Sequence, residues 1–170
     1  MAKYSMFKIF IANLKEGLEQ QEMTIQPDEL DLVEEEFAQP VHLRLDIEKV
    51  GPNIFVHTYL QTKLSLLCDR CAEPFFQDLS EEYRLLFTSD PDMVNEEDES
   101  TFRISESTEE VDLTDPLRET LLLALPVKHL CRDECQGLCA QCGTNLNQES
   151  CTCEKQQTDP RWDKLKQLLK

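Results

Sequence analysis

Apolar and polar residues alternate without a break from Val41 to Glu48. That period of two places Val41, Leu43, Leu45 and Ile47 on one face of a β-strand. Gly51-Pro52-Asn53 then marks a turn. Ile54 to Leu67 forms a second alternating run, with Ile54, Val56, Thr58, Leu60, Thr62, Leu64 and Leu66 on one side. Cys68-Asp69-Arg70-Cys71 interrupts it. A third β-rich segment, Phe75 to Phe87, alternates less well: Phe75, Gln77, Leu79, Glu81 and Tyr83 share its face. The three segments predict an antiparallel meander with Cys-x-x-Cys at its second turn. Within residues 1–39, one apolar strip, Phe7, Ile9 and Ile11, predicts a further strand.

Helical spacing appears later. Thr114-Asp115-Pro116 has the form of a helix start: Thr as N-cap, an acid in the first turn, and Pro where its missing N–H costs nothing. Leu117, Leu121, Leu122 and Leu125 would line one face, and Pro126 ends the run. Asp159-Pro160-Arg161-Trp162 repeats the start signal. Trp162, Leu165 and Leu169 share a face, with Leu168 beside them, which predicts a short closing amphipathic helix. Leu43, Leu45, Val56, Leu64, Leu121 and Leu125 are the expected core.

Charge narrows the function classes. The 170 residues carry 34 acids against 17 bases, a net charge of −17. A broad basic face for DNA or RNA is disfavoured, because phosphate binding needs Lys and Arg to neutralise it, although a local basic segment could still act. The acidity suits a basic protein partner instead. Ser89 to Ser100 concentrates it in Asp90, Asp92, Glu96, Glu97, Asp98 and Glu99. This segment is either a solvated excursion or a docking site for a basic partner, with Glu96, Glu97, Asp98 and Glu99 as its contacts. Residues 155–170 reverse the sign: Lys155, Arg161, Lys164, Lys166 and Lys170 face only Asp159 and Asp163. Lys164 and Lys166 mark either the wet face of an ordinary helix or a local contact with ribosomal RNA. The longest apolar run, Leu121 to Val127, falls far short of the ~20 residues needed to span a bilayer. No secretory or transit pattern is visible at Met1 to Leu14. A bacterial cytoplasmic protein, off the membrane, is expected.

In a reducing compartment, the 8 Cys are metal ligands before they are disulfides. Cys139-x-x-Cys142-Gly143 is a knuckle whose two thiolates can chelate one tetrahedral ion, and Gly143 relieves the turn. Cys151-x-Cys153 offers the second pair after a loop in which Asn145 and Asn147 suit left-handed or side-chain-capped turns. Four soft thiolates select zinc over hard cations, with an iron–sulfur cluster or a metal-free redox cluster as alternatives. Cys68-x-x-Cys71 is a second half-site. Cys131 and Cys135 would complete it, with His129 able to replace one of them, giving one or two zinc ions in all. The rival for this pair is thiol redox chemistry. Its position between strands, beside Asp69 and Glu73, argues against a reactive thiolate.

The fold expected is α+β: an antiparallel sheet, a packed Leu-rich helix and a C-terminal Cys-rich zinc-binding segment. Residues 1–126 form the core domain. Residues 127–170 form the zinc segment with its short helix, packed on that core. Catalysis finds no support. There is no Gly-rich phosphate loop, no nucleophile elbow and no His-Glu-x-x-His, and His42, His57 and His129 are dispersed. The protein is not expected to be an enzyme.

Several of these pieces together resemble a known family. Gly137-Leu138-Cys139-Ala140-Gln141-Cys142-Gly143-Thr144-Asn145-Leu146-Asn147, Cys151-Thr152-Cys153, and Asp159-Pro160-Arg161 with Leu165 and Leu168 look like the C-terminal signature of the YceD family. Its members are called large ribosomal RNA subunit accumulation proteins. Cys68-Asp69-Arg70-Cys71 and Leu123-Ala124-Leu125-Pro126 fit as well, so the resemblance runs from about Val41 to the end. Ala140 stands where the family commonly has Pro. The resemblance implies a non-enzymatic factor in large-subunit biogenesis that supports accumulation of the large-subunit (23S) ribosomal RNA. It also implies a large-subunit ribosomal protein, or the assembling subunit, as partner. A zinc-dependent protein acting directly on precursor rRNA, and a thiol redox protein, are the rival readings.

Overall fold

A computed structural model of the chain describes residues 7–33, 35–94, 100–105 and 107–153. The alternating runs become the centre of a five-stranded sheet. β1 spans Lys8–Phe10, β2 Gly17–Ile25, β3 Val41–Val50, β4 Asn53–Leu67, β5 Pro74–Thr88, β6 Thr101–Arg103 and β7 Glu110–Asp112; the helix α1 spans Thr114–Leu123. The sheet order is β2-β3-β4-β5-β6, antiparallel except for the parallel β5–β6 pair. β1 and β7 form a separate antiparallel pair, with Ile9 opposite Val111 and an ion pair between Lys8 and Glu110.

The meander follows the pattern of the sequence. On β3, Val41, Leu43, Leu45 and Ile47 are buried; on β4, so are Ile54, Val56, Thr58, Leu60, Thr62, Leu64 and Leu66. Each of the larger apolar side chains contributes about 1.5–3 kcal/mol when removed from water. The same period carries into β5, where Leu79 is buried and Phe75, Gln77, Glu81 and Tyr83 are half-buried. The imperfect alternation there reflects a real inner face that is partly polar. Thr62, buried among these residues, donates its hydroxyl to the carbonyls of Gln39 and Pro40, both at 3.2 Å. Leu30, Phe37, Leu113, Leu117 and Leu121 close the core over this face.

The expected α+β class is not what forms. The described residues are mostly β, with seven strands and one ten-residue α-helix. Two causes account for the difference. The Leu-rich run does not continue as a packed helix: α1 stops at Leu123, short of Pro126, which disfavours helical geometry just before it. Leu117 and Leu121 are fully buried, whereas Leu123 is 86% exposed and Leu125, an expected core residue, is only half-buried. The other cause lies in residues 1–39, which supply the nine-residue β2 as well as the β1 strip. Thr114 also differs from its expected capping role. Its hydroxyl accepts the Phe7 N–H at 2.6 Å, while the Asp112 carboxylate accepts the Thr114 N–H at 2.8 Å. The helix start is thereby tied to the β1–β7 pair. The expected closing helix, with Trp162, Lys164 and Lys166, and the acidic run Glu96 to Glu99 lie outside the described residues.

Candidate metal centres

β4 and β5 are the longest strands, fifteen residues each, and their connection holds Cys68 and Cys71. Within it the Cys68 N–H donates to the Glu73 carbonyl at 3.0 Å and the Ala72 N–H to the Cys68 carbonyl at 2.8 Å, with Ala72 left-handed at φ 56°. The tight turn aims both thiols off the end of the sheet. There they meet Cys131 and Cys135. Cys68 Sγ lies 3.8 Å from Cys135 Sγ, and Cys71 Sγ lies 3.8 Å from Cys131 Sγ. All four sulfurs fall within 4.8 Å of one another. Cys68, Cys71 and Cys135 are buried. None of the eight is disulfide-bonded, and these separations are far beyond the ~2.05 Å of an S–S bond.

Backbone and side-chain bonds brace the cluster from both sides. Asp69 donates its N–H to the His129 carbonyl at 2.8 Å, and its carboxylate accepts the His129 N–H at 2.7 Å. Both Cys131 and Cys135 complete the cluster, so His129 is not needed as a substitute ligand. The Arg70 guanidinium donates to the carbonyls of Asp133 and Cys135, at 3.0 and 2.9 Å. The Arg70 carbonyl in turn accepts the Leu138 N–H at 3.0 Å.

The second cluster follows directly. Cys139, Cys142, Cys151 and Cys153 also lie within 4.8 Å of one another, and they are more open: Cys142 is exposed and the rest half-buried. The knuckle is a local hydrogen-bonded turn, with the Cys139 N–H on the Thr144 carbonyl at 2.8 Å, the Gly143 N–H on the Cys139 carbonyl at 2.9 Å, and Gly143 left-handed at φ 74°. Cys151 Sγ stands 3.5 Å from Cys139 Sγ. Asn145 makes the side-chain-capped turn foreseen for this loop, its Oδ1 accepting the Asn147 N–H at 3.0 Å.

The two clusters share a wall. Asn147 donates its Nδ2 to Cys135 Sγ at 3.3 Å, and its Oδ1 accepts from the Gln136 N–H and the Arg132 guanidinium. Glu73 accepts from Asn145 Nδ2 and Gln148 Nε2 at 3.2 and 3.3 Å, which ties the β4–β5 turn to the second cluster. Sequence reasoning singled out the thiols but not Asp69, Arg70 and Glu73 as braces, since nothing in one strand of sequence shows which turn will face which loop.

Each cluster holds two thiols shifted down, Cys68 and Cys135 in the first and Cys139 and Cys142 in the second, and two shifted up. The Cys131 N–H, with those of Cys71 and Arg70, brings Cys68 down to about 6 against a desolvation that opposes it. The N–H groups of Cys142 and Gln141 bring Cys139 down to about 6. Their partners move the other way: burial, then the neighbouring thiols, pushes Cys131 up to about 12, and the Cys142 thiol, then burial, pushes Cys153 up to about 12. Asp69 and Glu73 were expected to discourage a thiolate at Cys68. Both carboxylates are engaged elsewhere, Asp69 by the His129 N–H and Glu73 by Asn145 and Gln148, and the shift at Cys68 follows the backbone N–H groups.

Four thiols converging at each of two points in a mostly β protein define a class: a β-protein with two four-cysteine clusters that could hold metal ions. The comparisons with known proteins are more specific. Residues 56–169 match the family model described as large ribosomal RNA subunit accumulation protein YceD, and the chain belongs to that family. It is 23% identical over 155 residues to large ribosomal RNA subunit accumulation protein YCED homolog 1, chloroplastic, of Arabidopsis thaliana, covering 76% of this chain and 48% of that one. The Zea mays protein of the same name is 26% identical, covering 68% and 49%. An uncharacterized protein of Mycobacterium tuberculosis is 32% identical over 143 residues, covering 82% and 67%. The chain therefore spans about half the length of the chloroplast relatives and two thirds of the mycobacterial one. No solved structure matches it. Among the described residues no helix is long and apolar enough to cross a membrane.

Proposed function

We propose that this protein is a non-enzymatic factor of large-subunit biogenesis in the bacterial cytoplasm. It supports accumulation of the large-subunit rRNA by binding a basic ribosomal protein or the assembling particle. The observation that carries the reading is the YceD match, which covers both halves of both clusters, together with the names of the chloroplast relatives. The family name speaks of RNA accumulation and the net charge of −17 disfavours a broad grip on RNA, so a protein contact is the reading that fits both. Direct RNA contact through Lys164 and Lys166 is the second reading, and those residues lie outside the described ones.

Zinc is the metal proposed for both clusters. Thiolates select a soft ion, and Zn–S bonds of about 2.3 Å set the sulfurs of a tetrahedral site about 3.8 Å apart. Cys68–Cys135 and Cys71–Cys131 already stand at that spacing. Cys68, Cys71, Cys131 and Cys135 would hold one ion; Cys139, Cys142, Cys151 and Cys153 would hold the other. Four protein ligands leave no open position for a substrate, so the role is structural. The first ion would clip the β4–β5 turn to the chain after α1. Affinity capture of the tagged full chain, read by mass spectrometry and RNA sequencing together, tests the reading. Enrichment of large-subunit proteins or large-subunit precursor particles is expected, and the absence of both would overturn it.

A further inference from the structure

β2 is an open edge of the sheet. It pairs with β3 in unbroken register from Gly17 opposite Lys49 to Ile25 opposite Val41, and among the described residues no strand pairs with its other side. Such an edge presents a row of unpaired N–H and C=O groups, and sheets usually blunt it with Lys, Pro, a bulge or a very short strand. Gly17–Ile25 has neither Lys nor Pro, keeps its register, and runs nine residues where the opposite edge, β6, has three.

Its side chains choose among occupants. Glu19 and Glu22 point to opposite faces, and Glu16 stands at the strand's entrance, where its carboxylate accepts the Gly51 N–H at 3.2 Å. Glu19 accepts from Gln21 Nε2 at 2.9 Å, and Glu22 lies opposite Arg44 on β3. Among the described residues neither Glu19 nor Glu22 forms an ion pair with Lys or Arg. At the far end Met23 is half-buried and Ile25 buried on the inner face. A second copy pairing here would bring like acids onto one seam, which is destabilising. RNA has no amide ladder to offer and is repelled. An extended basic peptide meets both demands, adding main-chain hydrogen bonds and cross-strand opposite charges together.

We propose that the free edge of β2 is a strand-addition site for an extended, Lys- or Arg-bearing protein segment, with basic residues opposite Glu19 and Glu22 and an apolar one beside Met23. The proposal rests on the protein-partner reading above and gives that contact its place and mode.

The test is hydrogen exchange on the full metal-loaded chain with a β2-length peptide of Thr that carries Lys at the two positions opposite Glu19 and Glu22 and Val opposite Met23. Two further versions carry N-methyl groups on its odd or its even residues, which keeps the charge and removes one side of the ladder. The alternate amides of Gly17–Ile25 that exchange freely in the protein alone should slow about tenfold or more on binding. One N-methylated version should bind about tenfold more weakly than the parent, and Glu19→Gln/Glu22→Gln should weaken the parent as well. The proposal is overturned if β2 amides gain no protection, if both N-methylated versions bind like the parent, or if poly(U) RNA protects the same amides. Should the peptide fail while large-subunit particles are still captured, the edge assignment falls and the proposed function stands.

Discussion

Gly137 lies so close to Arg70 that a Cβ added to it would stand 2.9 Å from the Arg70 carbonyl oxygen. That carbonyl accepts the N–H of Leu138, the next residue, so glycine is what lets the chain between the two clusters lie against the β4–β5 turn. Gly143 shares the same left-handed φ of 74° but has nothing within 4 Å of its would-be Cβ. Alanine in a left-handed position costs about 1–2 kcal/mol by itself. Gly137→Ala should therefore destabilise the protein by that amount plus the cost of moving the turn away, and Gly143→Ala by the conformational part alone. Denaturant unfolding of the metal-loaded variants checks it; equal losses would contradict the contact.

The core makes a second contrast. Leu45 and Leu121 are fully buried, while Leu123, two residues along the same helix, is 86% exposed. Leu45→Ala and Leu121→Ala should each cost about 2–5 kcal/mol, the usual range for a buried Leu. Leu123→Ala should stay within about 0.5 kcal/mol. Unfolding midpoints at constant m-value give the comparison.

These residues also show what the sequence reveals and what it conceals. The β3 and β4 faces are legible because strict alternation has one physical cause, a strand with one wet and one dry side. β2 is illegible for the same reason: an edge strand exposed over most of its length carries no such contrast, and Leu18 and Glu19 are both exposed. The eight clustered thiols are legible from their spacing, and their grouping follows the two pairs nearest in the chain and the two pairs left over. The braces Asp69, Arg70, Glu73 and Asn147 are ordinary surface residue types whose roles arise only when the turn and the loop meet. The Leu-rich run misled the fold class because apolar content alone does not distinguish a packed helix from an exposed segment around Pro126.

Thiol reactivity reports on the clusters. In reduced, metal-stripped protein, Cys139 and Cys153 are both half-buried, so ionisation and not access separates them. Cys139, lowered to about 6, should be a thiolate at neutral pH and lose its reactivity as pH falls through that value. Cys153, raised to about 12, should stay protonated and slow. Iodoacetamide labelling followed by peptide mass spectrometry across pH measures both. Added zinc, at two ions per chain, should protect all eight thiols together; one ion per chain, or none, would contradict two full clusters.

The acidic run distinguishes protein from RNA as the target. Glu96→Gln, Glu97→Gln, Asp98→Asn and Glu99→Gln combined should slow association with a basic large-subunit protein, leave dissociation nearly unchanged, and lose this effect at high salt. If RNA were the direct target, the same changes should speed association. Lys164→Gln with Lys166→Gln should then weaken binding and reduce the salt slope by about two. Stopped-flow association at several salt concentrations gives the sign.

The proposed role of this chain is to sustain the large-subunit rRNA. Its direct measurement is the ratio of large- to small-subunit rRNA in cells depleted of the protein and complemented with the intact chain or with Cys68→Ser/Cys71→Ser. Depletion should lower the ratio, the intact chain should restore it, and the variant, whose β4–β5 turn has lost its clip, should restore it poorly. A ratio unchanged by depletion would contradict that role.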